Sequence, residues 1–177
     1  MTSRGSGRVA VVVGNPKPRS RTLAAATYLA EQLVGRDPDL VVDLADLGPR
    51  LLDWSDEQVA GLVNEVGAAD LVVVASPTYK GAYTGLLKLF LDRFATDGLR
   101  GVAVPLMLGA GPGHAMAPEL TLRPVLTEIG GLVPAKGLYV VDAAHDDPEA
   151  YRHWLDLARP AITAILDSLD SRTGVSA

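Results

Sequence analysis

The sequence predicts a doubly wound α/β fold, an open sheet of five parallel strands between two layers of helices. Three observations predict it. Short β-branched runs alternate along the chain with segments of helical apolar spacing. Strands such as Leu71-Val72-Val73-Val74-Ala75 are apolar without interruption, as expected where helices cover both sheet faces. The loops after the first, third and fourth strands are the most unusual in composition, and in such sheets ligands sit outside the carboxyl ends of strands where strand order reverses.

The elements follow in order. Arg8 to Val13 is a short β-branched strand, and beyond a Pro-containing loop Ala26, Leu29, Ala30 and Leu33 mark a helix with Ser20 or Thr22 as N-cap. Leu40 to Leu44 reads as the second strand, Ser55 to Val66 as a helix opened by Ser-Asp-Glu, and Leu71 to Ala75 as the third strand. Tyr83, Leu86, Leu87, Phe90, Leu91 and Phe94 form a helical stripe that must face the sheet. Val102 to Leu108 is the fourth strand. Leu122, Val125, Leu126 and Ile129 then mark a helix that accommodates Pro124 near a first turn or at a kink. Leu138 to Val141 is the fifth strand, and the last helix begins at Tyr151, Trp154, Leu155 and Ala158, bends at Pro160 and continues through Ile162, Ile165 and Leu169.

A chain of 177 residues with 48% hydrophobic content is expected to fold as one domain over 1–177, with 1–7 and 171–177 as flexible tails. A net charge of -5 and a pI near 5.1 argue against general nucleic-acid binding, so an anionic ligand needs a local basic site. Cysteine is absent, which removes disulfides and thiolate chemistry and fits a reducing cytoplasm. No apolar run approaches the roughly 20 residues that cross a bilayer, and the polar start lacks the apolar core of a signal peptide. The expectation is a soluble, cytoplasmic protein that engages neither membrane nor nucleic acid.

The first loop, Gly14-Asn15-Pro16-Lys17-Pro18-Arg19-Ser20-Arg21-Thr22, leads from a strand into a helix start. Free backbone N–H groups, two hydroxyls and the cations Lys17, Arg19 and Arg21 gather there, which suits a phosphate. The loop after the third strand, Ser76 to Gly85, suits a flat ligand. Pro77 fixes the backbone, the N–H groups around Thr78, Tyr79, Lys80 and Gly81 meet polar ring atoms, and Tyr79 packs on the ring or caps the core. Tyr83 continues the apolar stripe and reads first as core. In Gly109-Ala110-Gly111-Pro112-Gly113-His114, three glycines allow close backbone approach, and His114 is either a donor to the ligand or a cap. This glycine pattern lacks the last member of G-x-G-x-x-G and does not follow the first strand, so it is no dinucleotide fingerprint.

The chain carries no G-x-x-x-x-G-K-[ST], H-E-x-x-H or G-x-S-x-G motif, which removes support from kinase and hydrolase readings. With three histidines, a metal site would rest on carboxylates better read as solvated. Asp43 and Asp46 read as a solvated loop rather than a ribose contact.

These residues resemble the NAD(P)H-dependent FMN reductases of flavodoxin-like fold, including the reductase components of two-component alkanesulfonate monooxygenases. Gly14, Pro16, Ser20 and Thr22 match that family's G-S-P-R-x-x-S-x-T loop, with Asn15 and Lys17 replacing Ser and Arg. Pro77, Tyr79, Gly85, Leu87 and Lys88 match its P-x-Y loop leading to G-x-L-K, and Gly111 to Ala115 with Leu122 to Leu126 is similar to the sulfonate-type members. Where some of these carry an inserted tyrosine, this chain reads Glu119-Leu120-Thr121.

The resemblance implies strand order 2-1-3-4-5 and an FMN reductase that takes a hydride from NADPH or NADH. FMN would be held by Asn15, Lys17, Arg19, Ser20 and Thr22 at the phosphate, and by Pro77, Thr78, Tyr79, Lys80, Gly109, Gly111 and His114 at the ring, with no catalytic side chain and no metal. It further implies a homodimer or homotetramer that supplies reduced flavin to a flavin-dependent monooxygenase. The alternatives are a quinone or azo reductase holding FMN tightly, a flavodoxin-like electron carrier, and a nonenzymatic binding module.

Overall fold

The computed structural model describes residues 7–173. Of the expected tails, 1–7 and 171–177, residues 1–6 and 174–177 lie outside the described residues. Five strands alternate with five α-helices: β1 (Val9–Val13), α1 (Arg21–Val34), β2 (Leu40–Asp43), α2 (Glu57–Gly67), β3 (Leu71–Pro77), α3 (Gly85–Leu91), β4 (Val102–Gly109), α4 (Arg123–Glu128), β5 (Leu138–Val141) and α5 (Glu149–Thr173). The strands are all parallel, in order β2-β1-β3-β4-β5. The switch in strand order therefore falls between β1 and β3, whose carboxyl ends lie side by side with Val13 opposite Ala75.

Strand periodicity sorts the core into two layers. Val9, Val11, Val13, Val73 and Val104 face α1 and α5, where they meet Leu29, Leu33, Tyr151 and Leu155. Ala10, Val12, Val72, Val74 and Met107 face the other way, against Val59 of α2, Leu87 and Phe90 of α3 and Leu126 of α4. Each large apolar side chain fully buried in such a layer contributes about 1.5–3 kcal/mol. No helix among the described residues is long and apolar enough to cross a membrane.

Several boundaries differ from the sequence expectation, those of β2, α2 and α3 for a capping reason. β2 stops at Asp43, whose side chain accepts from Ala45 N and starts a 3-10 turn over Leu44–Asp46. α2 starts at Glu57 because Asp56, rather than Ser55, is its N-cap and accepts from Val59 N at 2.9 Å. α3 is shorter than its stripe, because Thr84 caps it and leaves Tyr83 outside. Phe94 lies beyond its end yet is buried, stacked edge-on against Phe90. β3 and β4 each run on toward the loops, to Pro77 and Gly109. The segment without the inserted tyrosine opens with a π turn over Pro118–Leu122, in which Thr121 Oγ1 donates to Ala117 O at 2.6 Å. α5 continues past Pro160 to Thr173, three residues into the segment expected as a tail.

The start of the β1–β2 pair is fastened by Asp39. Val9 N donates to Asp39 Oδ2 at 2.7 Å, Asp39 N donates to Val9 O at 2.8 Å, and Arg36 donates to Asp39 Oδ1 at 2.9 Å. The Val9 amide, and after it Arg36, holds the Asp39 carboxyl below its ordinary range despite an opposing effect of burial. A lowered native pKa stabilises above the unfolded value and loses that contribution as pH falls through the native one. Asp39→Ala is therefore expected to cost about 1 kcal/mol at neutral pH, with the gap to wild type closing below about pH 4, as measured by denaturant melts across pH.

Candidate functional site

The β1–α1 loop is built around Ser20. Ser20 adopts an extended conformation and its hydroxyl accepts from Leu23 N at 3.2 Å, as an N-cap does. The first intrahelical bond is Ala24 N to Ser20 O, so the amides of Arg21 and Thr22 have no partner within the helix. Sequence left Ser20 and Thr22 as rival caps, and Thr22 is instead turned inward. It is 1% exposed and accepts from Asn15 Nδ2 at 3.0 Å. Asn15, itself buried, accepts from Lys17 N at 2.9 Å, which folds the loop back on itself. Lys17 and Arg19 are exposed. Arg21 is not free, because it pairs with Asp142 at 2.6 Å. Arg19 has φ of 50° and its amide donates to Asp43 Oδ2. Asp43 therefore braces this loop rather than standing solvated, a role its position in the sequence did not signal.

The β3–α3 loop is a tight hairpin. Thr78 N extends the ladder to Leu108 O at 2.6 Å, and Tyr79 and Ala82 exchange backbone bonds at 2.9 and 3.2 Å across Lys80 and Gly81, both with positive φ. Tyr79 is 54% exposed and so does not cap the core. Tyr83 does pack against the core. Pro77 is buried as the last residue of β3. Thr78 Oγ1 is the one buried side-chain polar atom among the described residues without a hydrogen-bond partner. A buried hydroxyl without a partner is costly and points to a polar group that meets it.

The β4 loop lies on the other side of that hairpin. The exposed His114 ring is 3.8 Å from where a Cβ on Gly81 would stand, so the two loops meet. A cavity of about 250 Å³ opens there, lined by Gly81, Pro112, His114, Met116, Leu120 and Thr121 among others. Gly109 is required by close approach, since a Cβ there would collide with the Tyr139 hydroxyl. That hydroxyl donates to Gly111 O at 2.7 Å and ties the loop to β5. Sequence reasoning passed over Tyr139. Its place on the neighbouring strand, opposite Met107 and within reach of Gly109 and Gly111, was available only once register was known.

Three loops thus converge at the carboxyl ends of β1, β3 and β4, offering a helix start with free amides and exposed cations at one end and an exposed aromatic hairpin at the other. This defines a nucleotide-binding α/β protein of flavodoxin-like architecture. Residues 8–146 match the model of the NADPH-dependent FMN reductase family. The chain is 30% identical to the FMN reductase (NADPH) of Escherichia coli K12, over 91% of this chain and 83% of that one. It is 32% identical to the NADH-dependent FMN reductase SfnF of Pseudomonas putida, over 78% and 80%. Among solved structures, the apo form of an NADH:FMN oxidoreductase superposes with a TM-score of 0.79 at 27% identity, covering 92% and 90%. The chain belongs to the NADPH-dependent FMN reductase family.

The crowding at the switch point has a testable consequence. A Cβ on Gly14 would collide with Leu87 Cβ at the start of α3. Gly14→Ala is expected to destabilise the fold by about 1–3 kcal/mol, seen as a fall in melting temperature of ~2–4 °C per kcal/mol.

Proposed function

We propose that the protein is an NAD(P)H-dependent FMN reductase that holds the flavin phosphate on the β1–α1 loop and the ring between the Thr78–Ala82 hairpin and the Gly109–His114 loop. The observation that carries this reading is the start of α1. Two amides without helical partners, the Ser20 hydroxyl and the exposed Lys17 and Arg19 lie together at the strand-order switch.

The residues divide the work. Asn15 and Thr22 brace the loop from inside and fix the direction of the amides, while Ser20 keeps its hydroxyl hydrogen free to donate because its oxygen accepts from Leu23 N. Lys17 and Arg19 offset the phosphate charge in a chain that is otherwise acidic. At the ring, Thr78 Oγ1 gains the partner it lacks, the Tyr79 face supplies apolar contact, and Lys80 and His114 flank the mouth, with open space beside Gly111 for close approach while the side of Gly109 is taken by the Tyr139 hydroxyl. Bound FMN supplies the redox chemistry, taking a hydride from the reduced nicotinamide. The chain contributes position and electrostatics, and no acid, base or metal of its own. The same reading has reduced flavin pass to a flavin-dependent monooxygenase in the cytoplasm, from a homodimer or homotetramer. The exposed Met116 and Leu120 near the mouth are apolar surface that such contacts would cover.

Purified protein is expected to consume NADPH or NADH only when FMN is added or bound, followed by loss of nicotinamide absorbance. No consumption with either nucleotide in the presence of FMN overturns the assignment. Thr78→Val keeps the shape and removes the hydroxyl. It is expected to weaken FMN binding by about 1–2 kcal/mol, measured by quenching of flavin fluorescence.

A further inference from the structure

Arg19 stands in the left-handed region at φ 50°, a conformation that a residue with a Cβ keeps only where its surroundings impose it. The imposing contact comes from another strand. Arg19 N donates to Asp43 Oδ2 at 2.9 Å across 24 positions of sequence. Asp43 ends β2 directly opposite Val13, the residue that ends β1, so its carboxylate emerges beside the strand that feeds the loop. Its other oxygen reaches Ala45 N, more weakly, at 3.4 Å. Between Asn15 and Ser20 the other hydrogen bonds, Asn15 to Thr22, Lys17 to Asn15 and Leu23 to Ser20, are internal to the loop and the first turn of α1, and the loop's further ties to distant segments lie at its ends, Gly14 to Ala75 and Thr84 and Arg21 to Asp142.

Electrostatics sharpens the point. A carboxylate beside a loop that receives a phosphate repels the ligand, so charge alone gives no reason for Asp43 there. An acceptor that fixes an otherwise unfavourable turn does. Ordering a binding loop during folding removes that ordering cost from binding.

We infer that Asp43 is a positioning residue that holds the Arg19 turn in its binding shape and thereby sets affinity for the phosphate of FMN without touching it. The inference rests on the placement of FMN proposed above. Asp43→Ala removes the acceptor and lets Arg19 relax to ordinary backbone angles. Asp43→Glu keeps the charge but moves the acceptor by one methylene. Asp43→Asn keeps an acceptor at the same reach and removes the repelling charge.

The test is the dissociation constant for FMN and for riboflavin, which has the same ring and no phosphate, read from flavin fluorescence in wild type and the three variants. FMN affinity is expected to fall about tenfold in D43A and D43E, to stay at or above the wild-type level in D43N, and riboflavin affinity to stay the same in all four. Unchanged FMN affinity in D43A and D43E overturns the inference. So does an equal loss of FMN and riboflavin, or a D43N variant as weak as D43A. Absence of FMN binding in wild type overturns the proposed site itself, and this inference with it.

Discussion

The arrangement of the molecule depends on one buried hydroxyl, that of Thr84. Its Oγ1 donates to Gly14 O at 2.5 Å and accepts from Leu87 N at 3.2 Å, while its amide donates to Ser76 Oγ at 3.0 Å. Three segments are joined in these bonds: the end of β1, the end of β3 and the first turn of α3. Hydroxyls this deeply buried are tolerated because both Thr84 and Ser76 are fully engaged. Gly14 completes the junction by having no side chain, which lets α3 start directly against the loop. The two loops assigned to opposite ends of the ligand thus share one rigid anchor, and their separation is set before any ligand arrives.

Charge at the site is local rather than general. The chain carries a net charge of -5, and two carboxylates come close to the β1–α1 loop. Asp142 takes up the charge of Arg21, and Asp43 is occupied by the Arg19 amide. Lys17 and Arg19 stand exposed beside the positive end of α1. Positive charge is thus confined to a spot a few residues wide, while the acidic remainder discourages binding of polyanions.

Much of this was legible in the sequence. The alternation of apolar runs, the uninterrupted β3 and the period of α1 gave the layers, and the three odd loops lie where the sheet puts its crevice. The Ser20 cap was visible because capping is a local matter of one hydroxyl and the amides that follow it. The same local signal stood at Thr84 and Asp56, both just before their helices, but the apolar stripe and the Ser-Asp-Glu run drew the starts of α3 and α2 too early. What the sequence concealed was contact between distant segments. Asp43 meeting Arg19, Thr84 meeting Gly14 and Tyr139 meeting Gly111 each depend on which strands adjoin and in what register, and periodicity within a segment carries no such information. The Thr78 and Tyr79 amides, expected to be free for ring atoms, are instead taken up by Leu108 O and Ala82 O, and the group at Thr78 without a partner is its side-chain oxygen.

Tyr139 belongs to the outermost strand, which has β4 as its only neighbour in the sheet, and it reaches inward across that neighbour's end to grip Gly111. The rim of the sheet therefore acts as a strut for the Gly109–His114 loop. Replacements along β5 that merely tilt or slide it would be transmitted to the position of that loop, making a peripheral element a dial on the fit of the flavin proposed to lie there.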